Sequence, residues 1–380
     1  MKYIPDPITT NCTGCMICKE KCPKQCIEVT TDPQGFLYPR INKDLCIACG
    51  LCESSCPSNH SVAFNSATVA LSCWSLSESE HKTCTSGGIA SVLSRLFLQA
   101  GGVVYGCSYI AKQSRVMHIR IDRMNDLWKL KGSKYVQSSL EQIRKILIED
   151  LKKGNKVLFI GTPCQVAGIK RLAGNYIENL ITIDLVCHGV PSEKMLFEHI
   201  DSLHLGRNID FVSFRDSNSY CLKLFSKSEM IYEKNISKKN WSDIYLNAFY
   251  KSLIIRKCCY LCQYAKSERV GDLTLGDFWG LGKKGVINQN SEDGVSLVLP
   301  NTEKGKSLLL GVEKYIYCEK RPVEEAIEGN EHLRKHCIKT WRTHFFYYLY
   351  PRIPFKHAVR ISAADWILGN YVKRCIKRMI

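Results

Sequence analysis

Cysteines at two fixed spacings carry the chemistry of this chain. Cys12, Cys15, Cys18 and Cys22, followed by Pro23, are repeated as Cys46, Cys49, Cys52 and Cys56 before Pro57. Each run reads C-x2-C-x2-C-x3-C-P, the spacing with which bacterial ferredoxins hold two 4Fe–4S clusters. Two-residue gaps turn three thiolates of one tight loop toward one cubane, and the fourth cysteine, drawn away by its proline, serves the other. Cys12, Cys15, Cys18 and Cys56 are therefore expected at one cluster, and Cys46, Cys49, Cys52 and Cys22 at its partner. A zinc site needs four ligands and explains neither the doubled run nor its prolines.

Three further stretches hold reactive residue types. Thr85-Ser86-Gly87-Gly88 precedes a helical stripe, where free amides and missing Cβ atoms suit a cofactor pyrophosphate. An ordinary serine cap followed by glycines would look the same. Gly161-Thr162-Pro163-Cys164-Gln165 and Cys187-His188-Gly189 each follow a buried strand, which puts both cysteines at the carboxyl-terminal edge of one sheet. Cys258-Cys259-Tyr260-Leu261-Cys262 contains a C-x2-C pair, Cys259 and Cys262. Cys164, Cys187, Cys259 and Cys262 could together hold a third cluster. Two structural cysteines and an unrelated pair would give the same spacing.

The elements that must position these residues alternate between helix and strand. Residues 1–60 form the cluster module, with strands on either side of the turn Asp32-Pro33-Gln34-Gly35. A linker is expected over 61–82. In 83–190, Ile89, Val92, Leu93, Leu96 and Phe97 mark a helix, and 103–105, 116–121, 156–160 and 180–186 read as buried strands. Ser138 with Glu141 three residues later predicts a helix start, which Gly154 would end. Over 191–305 the segment 211–231 reads as antiparallel strands, so the sheet is mixed and not plainly doubly wound. Residues 306–380 read as a basic, aromatic, mostly helical tail. The fold class expected is α+β with a mixed α/β sheet.

Six stretches stand in order: Cys84-Thr-Ser-Gly-Gly-Ile, Gly132-Ser-Lys-Tyr-Val-Gln-Ser138, Gly161-Thr-Pro-Cys-Gln165, Leu185-Val-Cys-His-Gly-Val-Pro191, Arg256 with Cys259 and Cys262, and Asp272-Leu-Thr-Leu-Gly-Asp-Phe-Trp-Gly280. The series resembles the coenzyme F420 hydrogenase/dehydrogenase beta-subunit family, in its bacterial branch with an N-terminal dicluster ferredoxin. That resemblance implies an FAD-dependent oxidoreductase with a 4Fe–4S cluster beside the flavin. It assigns Ser86, Gly87 and Gly88 to FAD phosphate, and Lys134, Tyr135 and Ser138 to the flavin pocket, with Lys134 as a positive charge. It makes Cys164, Cys187, Cys259 and Cys262 the ligands of the flavin-side cluster, with Cys258 competing for the place of Cys259. Asp272 and Asp277 would brace the site. The partner implied is a one-electron carrier such as ferredoxin, and a deazaflavin-type or other small substrate would exchange electron pairs with the flavin. The alternative is a non-catalytic electron-transfer subunit of a larger redox or surface-polysaccharide-synthesis complex.

Composition narrows the setting. At 380 residues the chain exceeds one ferredoxin module several times over. Its 21 cysteines stand behind an N-terminus without the apolar stretch of a signal peptide, which argues for metal and redox use in a reducing cytoplasm. The formal charge of +17 counts every cysteine as neutral, whereas each cluster with its thiolates carries about −2. From His332 onward, Arg334, Lys335, Lys339, Arg342, Arg352, Lys356, Arg360, Lys373, Arg374, Lys377 and Arg378 face a single acid, Asp365. Trp341, Phe345, Phe346, Tyr347 and Tyr348 accompany them. That tail reads as a solvated basic face on an aromatic core, open to an acidic protein or an inner membrane surface. Nucleic acid is not expected as a partner.

Overall fold

The computed structural model describes residues 11–215, 219–236, 241–289 and 292–369. The cluster module carries one antiparallel pair, β1 (Ile27–Thr31) and β2 (Leu37–Ile41). Its turn is tied by Asp32, whose carboxylate accepts from the Gln34 and Phe36 amides at 3.0 and 2.9 Å.

The body is built on eight strands: β3 (Ala70–Ser75), β4 (Val103–Ile110), β5 (Arg115–Ile121), β6 (Val157–Gly161), β7 (Leu180–Leu185) and, after the small sheet described below, three more. The small sheet is β8 (Phe211–Arg215), β9 (Tyr220–Ser226) and β10 (Glu229–Asn235), paired antiparallel. Strands β11 (Leu273–Asp277), β12 (Ser296–Pro300) and β13 (Ile316–Arg321) complete the large sheet, in the order β13-β3-β12-β11-β7-β6-β4-β5. β4, β6, β7 and β11 run parallel, and the remaining neighbours are antiparallel. The expected mixed sheet is therefore present. Residues 70–75, within the stretch expected to link two units, form strand β3 of this sheet, and β13 brings in part of the expected tail.

Buried β-branched and aliphatic residues explain the central strands: Val157, Leu158 and Phe159 of β6 are fully buried, as parallel strands covered on both faces require. The helices used below are α1 (Ile89–Gln99), α2 (Ile143–Lys152), α3 (Pro163–Ala173), α4 (Glu193–Asp201), α5 (Ile244–Tyr250), α6 (Trp341–Leu349) and α7 (Phe355–Ser362); Glu303–Leu310, Val323–Gly329 and shorter turns are also helical. The helix expected from Ser138 begins only at Ile143. Ser138 does not cap it: its hydroxyl lies 3.0 Å from His118 Nδ1 and from Gln165 Nε2. Tertiary partners outcompete the local capping box. Thr162 and Gln165 instead form such a box at the start of α3, with Pro163 in its first turn.

The cluster module lies directly on α3. A Cβ at Gly168 would come within 3.2 Å of Cys15 Cβ and 3.4 Å of its sulfur, so glycine admits the cysteine loop at close range. Lys21 donates to Leu172 O, Arg171 to His60 O and Gln137 to Thr13 O. Helices α6 and α7 pack Phe346, Phe355, Ala358 and Val359 into the core shared with α4 and α5. Ile338, Trp341, Phe345 and Tyr348 stay exposed. No helix among the described residues is long and apolar enough to cross a membrane.

At the end of β7, Asp184 is fully buried and takes Arg269 at 2.9 Å, the Val270 and Gly271 amides, and Thr274 Oγ1 at 2.7 Å. Removing one partner of a buried pair strands the other charge, at about 3–5 kcal/mol. Asp184→Ala should lower the denaturant midpoint of the anaerobically purified chain by the shift that such a loss of unfolding free energy produces. An unchanged midpoint would show that the pair adds nothing to stability.

Candidate redox site

Two thiol clusters and a cleft lie in succession from the surface of the cluster module into the body. Cys15 and Cys18 each feel Cys56, and Cys18 also feels Cys12 and Cys15. Burial pushes Cys12 up to about 12 and raises Cys15 and Cys18 as well. Thiols held close together and disfavoured as free thiolates fit a metal cluster that takes the place of their protons. Cys22, Cys46, Cys49 and Cys52 line a separate hollow of about 330 Å³, together with Cys26. Ala48 and Gly50, at φ 52° and 77°, bend the loop around it. Cys49 is exposed there, and so are Leu45, Ile47 and Leu51.

The third set was dispersed in sequence. β6 and β7 pair in parallel with Gly161 opposite Asp184, and Cys164 and Cys187 each stand three residues past that pair. Both line a cleft of about 700 Å³, joined by Cys258, Cys259 and Cys262 from the segment before β11. Asn11, Thr13 and Ser58 of the cluster module close the same cleft. Burial drives Cys164 upward and Cys187 to about 12, against hydrogen bonds from Thr162 and the Gly189 amide. Cys258 goes the other way: the Cys259 hydrogen bond, and then Arg256, bring it to about 7 in spite of burial. With Cys337, the cleft therefore offers six thiols where a cubane needs four, and its donor set fits a 4Fe–4S cluster.

Sequence reasoning gave no warning of His332 and Cys337, which have no spacing relation to Cys187. His188 Nε2 donates to Phe249 O at 3.1 Å, which leaves Nδ1 to accept from His332 Nε2 at 2.7 Å. The Cys337 thiol donates to His188 O at 3.1 Å. Burial lowers His188 to about 4, so the imidazole is neutral beside the cleft.

The residues assigned to FAD occupy the same carboxyl-terminal edge but differ in what they have free. A Cβ on Gly87 would fall 2.1 Å from Cys73 O, so only glycine fits between β3 and β12. The Gly87 amide is spent on Ser296 Oγ at 2.9 Å. Gly88 caps α1 at φ 76°. The first turn of that helix already faces a carboxylate, because Glu80 takes Ser91 Oγ at 2.7 Å and Arg95 at 3.3 Å. Ser86 Oγ, by contrast, is buried without a partner, an orphan that suits a cofactor contact. Thr85 lies 3.4 Å from Ser133, so this loop and the segment leading to Lys134 adjoin. The Lys134 ammonium donates to the carbonyls of Lys129, Leu130 and Lys131, and burial lowers it to about 8. Tyr135 stacks on Phe249 at 5.0 Å, one ring away from His188. Ser138 is held by His118 and Gln165, as described above. Ser86 Oγ thus has no partner among the described residues, whereas Lys134 and Ser138 have theirs. Asp277 grips Arg215 and accepts from Tyr220, and Asp272 accepts from Thr182 and Thr302.

Residues 154–326 match the family model for the carboxyl-terminal part of the coenzyme F420 hydrogenase/dehydrogenase beta subunit, and residues 11–60 match the 4Fe-4S dicluster domain. An uncharacterized ferredoxin of Methanocaldococcus jannaschii is 43% identical over 56 residues, which cover 15% of this chain and 30% of that protein. The chain thus spans less than a third of that relative's length. A solved structure of the F420-reducing nickel–iron hydrogenase complex from Methanosarcina barkeri contains a chain that is 18% identical. It covers 70% of this chain and 90% of its own length, at a TM-score of 0.47.

Single serine substitutions separate the competing thiols of the third cleft. Cys259→Ser should lose about four irons per chain, while Cys258→Ser keeps the full complement. The reverse pattern would transfer the ligand role to Cys258.

Proposed function

We propose, for a chain that joins a 4Fe-4S dicluster domain to a domain of the coenzyme F420 hydrogenase/dehydrogenase beta-subunit family, an iron–sulfur flavoprotein oxidoreductase. It passes electrons between a ferredoxin-like carrier and a two-electron substrate of small-molecule or deazaflavin type. The observation that carries this reading is the convergence of Cys164, Cys187, Cys259 and Cys262 on a cleft whose opposite wall belongs to the cluster module. When bound, the clusters supply single-electron steps and the flavin converts between those and a hydride.

The chain's own residues supply position and shelter. Cys12, Cys15, Cys18 and Cys56 hold the cluster set that lies against α3, and Cys22, Cys46, Cys49 and Cys52 hold the outer one. Leu45, Ile47 and Leu51, each 47–57% exposed, ring the outer site and form the apolar face on which a redox protein docks. Gly168 admits Cys15 to α3, the helix whose first turn carries Cys164, so the inner set and the third cleft share one wall. His188 is kept neutral and directed away from solvent by Phe249 O and His332. Ser86 would hydrogen-bond a bound flavin, and Gly87 leaves room for the loop that presents it. Exposed Trp341 and Tyr348 beside Arg352 and Lys339 suit a peripheral contact with an acidic protein or anionic lipid surface, in the cytoplasm.

A second reading, a subunit that only transfers electrons, is favoured by Glu80 at the start of α1, since a carboxylate there opposes a phosphate. The two separate cleanly. Anaerobic purification should yield about twelve irons per chain from three clusters and one flavin, and Ser86→Tyr should strip the flavin while sparing the iron. Iron without flavin in the unaltered chain would leave the electron-transfer subunit standing.

Docking at the outer face is tested separately. Ile47→Glu should raise KM for a reduced ferredoxin several-fold and leave dithionite reduction of the clusters as fast as before. Equal KM for both forms would place the electron entry elsewhere.

A further inference from the structure

Four arginines are buried among the described residues: Arg144, Arg256, Arg269 and Arg321. Three have carboxylate partners. Arg144 lies 3.5 Å from Glu20, Arg269 2.9 Å from Asp184, and Arg321 2.8 Å from Glu325. Arg256, fully buried, makes no ion pair among the described residues. Its guanidinium donates to Cys12 O at 3.0 Å, Leu37 O at 2.9 Å and Gln137 Oε1 at 3.1 Å. The Tyr38 ring lies 4.2 Å from it and Phe36 5.3 Å. All of these partners are neutral. Asp32 is near enough to feel the charge, but it makes no ion pair with Arg256 among the described residues, and its Oδ1 is engaged by two amides.

Neutral acceptors satisfy the donors of a guanidinium without cancelling its charge, and an uncompensated buried charge is costly. Besides Tyr38 and Asp32, Arg256 faces sulfurs from two different sites, which become negative once they ligate a cluster. Cys12 belongs to the inner set of the cluster module, and Cys258 and Cys259 belong to the third cleft. Its backbone is fixed by the Val190 carbonyl at 2.8 Å, three residues past Cys187. Gly14 leaves no space for a side chain there, since a Cβ would come 3.0 Å from Arg256 Nη1.

We infer that Arg256 is the shared countercharge of the inner ferredoxin cluster and the third cluster, a positioning residue that holds both at higher potential than the outer cluster. The inference rests on the three-cluster reading above. Each 4Fe–4S unit with its thiolates gains one negative charge on reduction, and a fixed cation at low dielectric favours that more negative state. The outer set at Cys22, Cys46, Cys49 and Cys52 lies away from Arg256 and lacks this stabilisation. Electrons arriving at the surface are therefore drawn inward. The same guanidinium ties the two domains together through Cys12 and Leu37, so the charge sits where the gap between clusters is crossed.

The test is a redox titration of the full chain followed by electron paramagnetic resonance, with iron counted in every sample. Arg256→Gln should move two of the three midpoint potentials to more negative values and leave the third in place, and Arg256→Lys should recover most of the shift. Gln137→Glu retains the arginine but puts a carboxylate against its Nη1, and should move the same two couples in the same direction. It decides the matter if Arg256→Gln fails to load iron. Unmoved potentials in an iron-replete variant would overturn the role of Arg256 while leaving the three clusters intact. Fewer than three couples in the unaltered chain would instead overturn the reading on which it rests.

Discussion

The buried pair of Asp184 and Arg269 is the interaction on which the rest of the site depends. Asp184 ends β7 three residues before Cys187, and its carboxylate collects the amides that lead into β11. Arg269 in turn donates to Leu185 O, Tyr264 O and Lys266 O. One ion pair thus joins the strand that presents Cys187 to the segment that presents Cys262. The desolvation of such a pair is large, and the full set of hydrogen bonds around it is what makes it tolerable in the interior. Loosening it would let the thiols of the cleft drift apart without altering any of them.

Parallel register does the remaining alignment. Because Gly161 pairs with Asp184, cysteines 23 positions apart in sequence (164 and 187) emerge at one level of one edge. The cluster module then closes the cleft from outside, admitted by the bare Cα of Gly168 and tied by Arg256, Gln137 and Arg171 to its backbone carbonyls. Electron transfer between separately folded units is sensitive to how they sit. Here the geometry is built from hydrogen bonds between fixed backbone groups and a glycine contact, not from a flexible tether. Residues 70–75 reinforce this arrangement, since the chain leaving the cluster module enters the large sheet as β3.

The edge that serves the cysteines also collects the groups expected at a flavin, and their fates diverge for electrostatic reasons. The Lys134 ammonium is satisfied by three carbonyls at the end of a short helical turn. Ser138 was taken by a buried histidine. The Ser86 hydroxyl is buried without a partner among the described residues.

The sequence by itself determined the two cysteine runs, the mixed sheet and the strands that end before Cys164 and Cys187. All of these are written in local spacing or in runs of apolar residues, where a few neighbouring positions suffice. Only the tertiary structure decided which distant side chains meet: His332 and Cys337 beside His188, Glu80 at the start of α1, and Arg256 between two sets of sulfur without an ion pair. Spacing cannot reveal these, because a buried charge or hydrogen bond is settled by whatever partner packing delivers, and that partner stands anywhere along the chain.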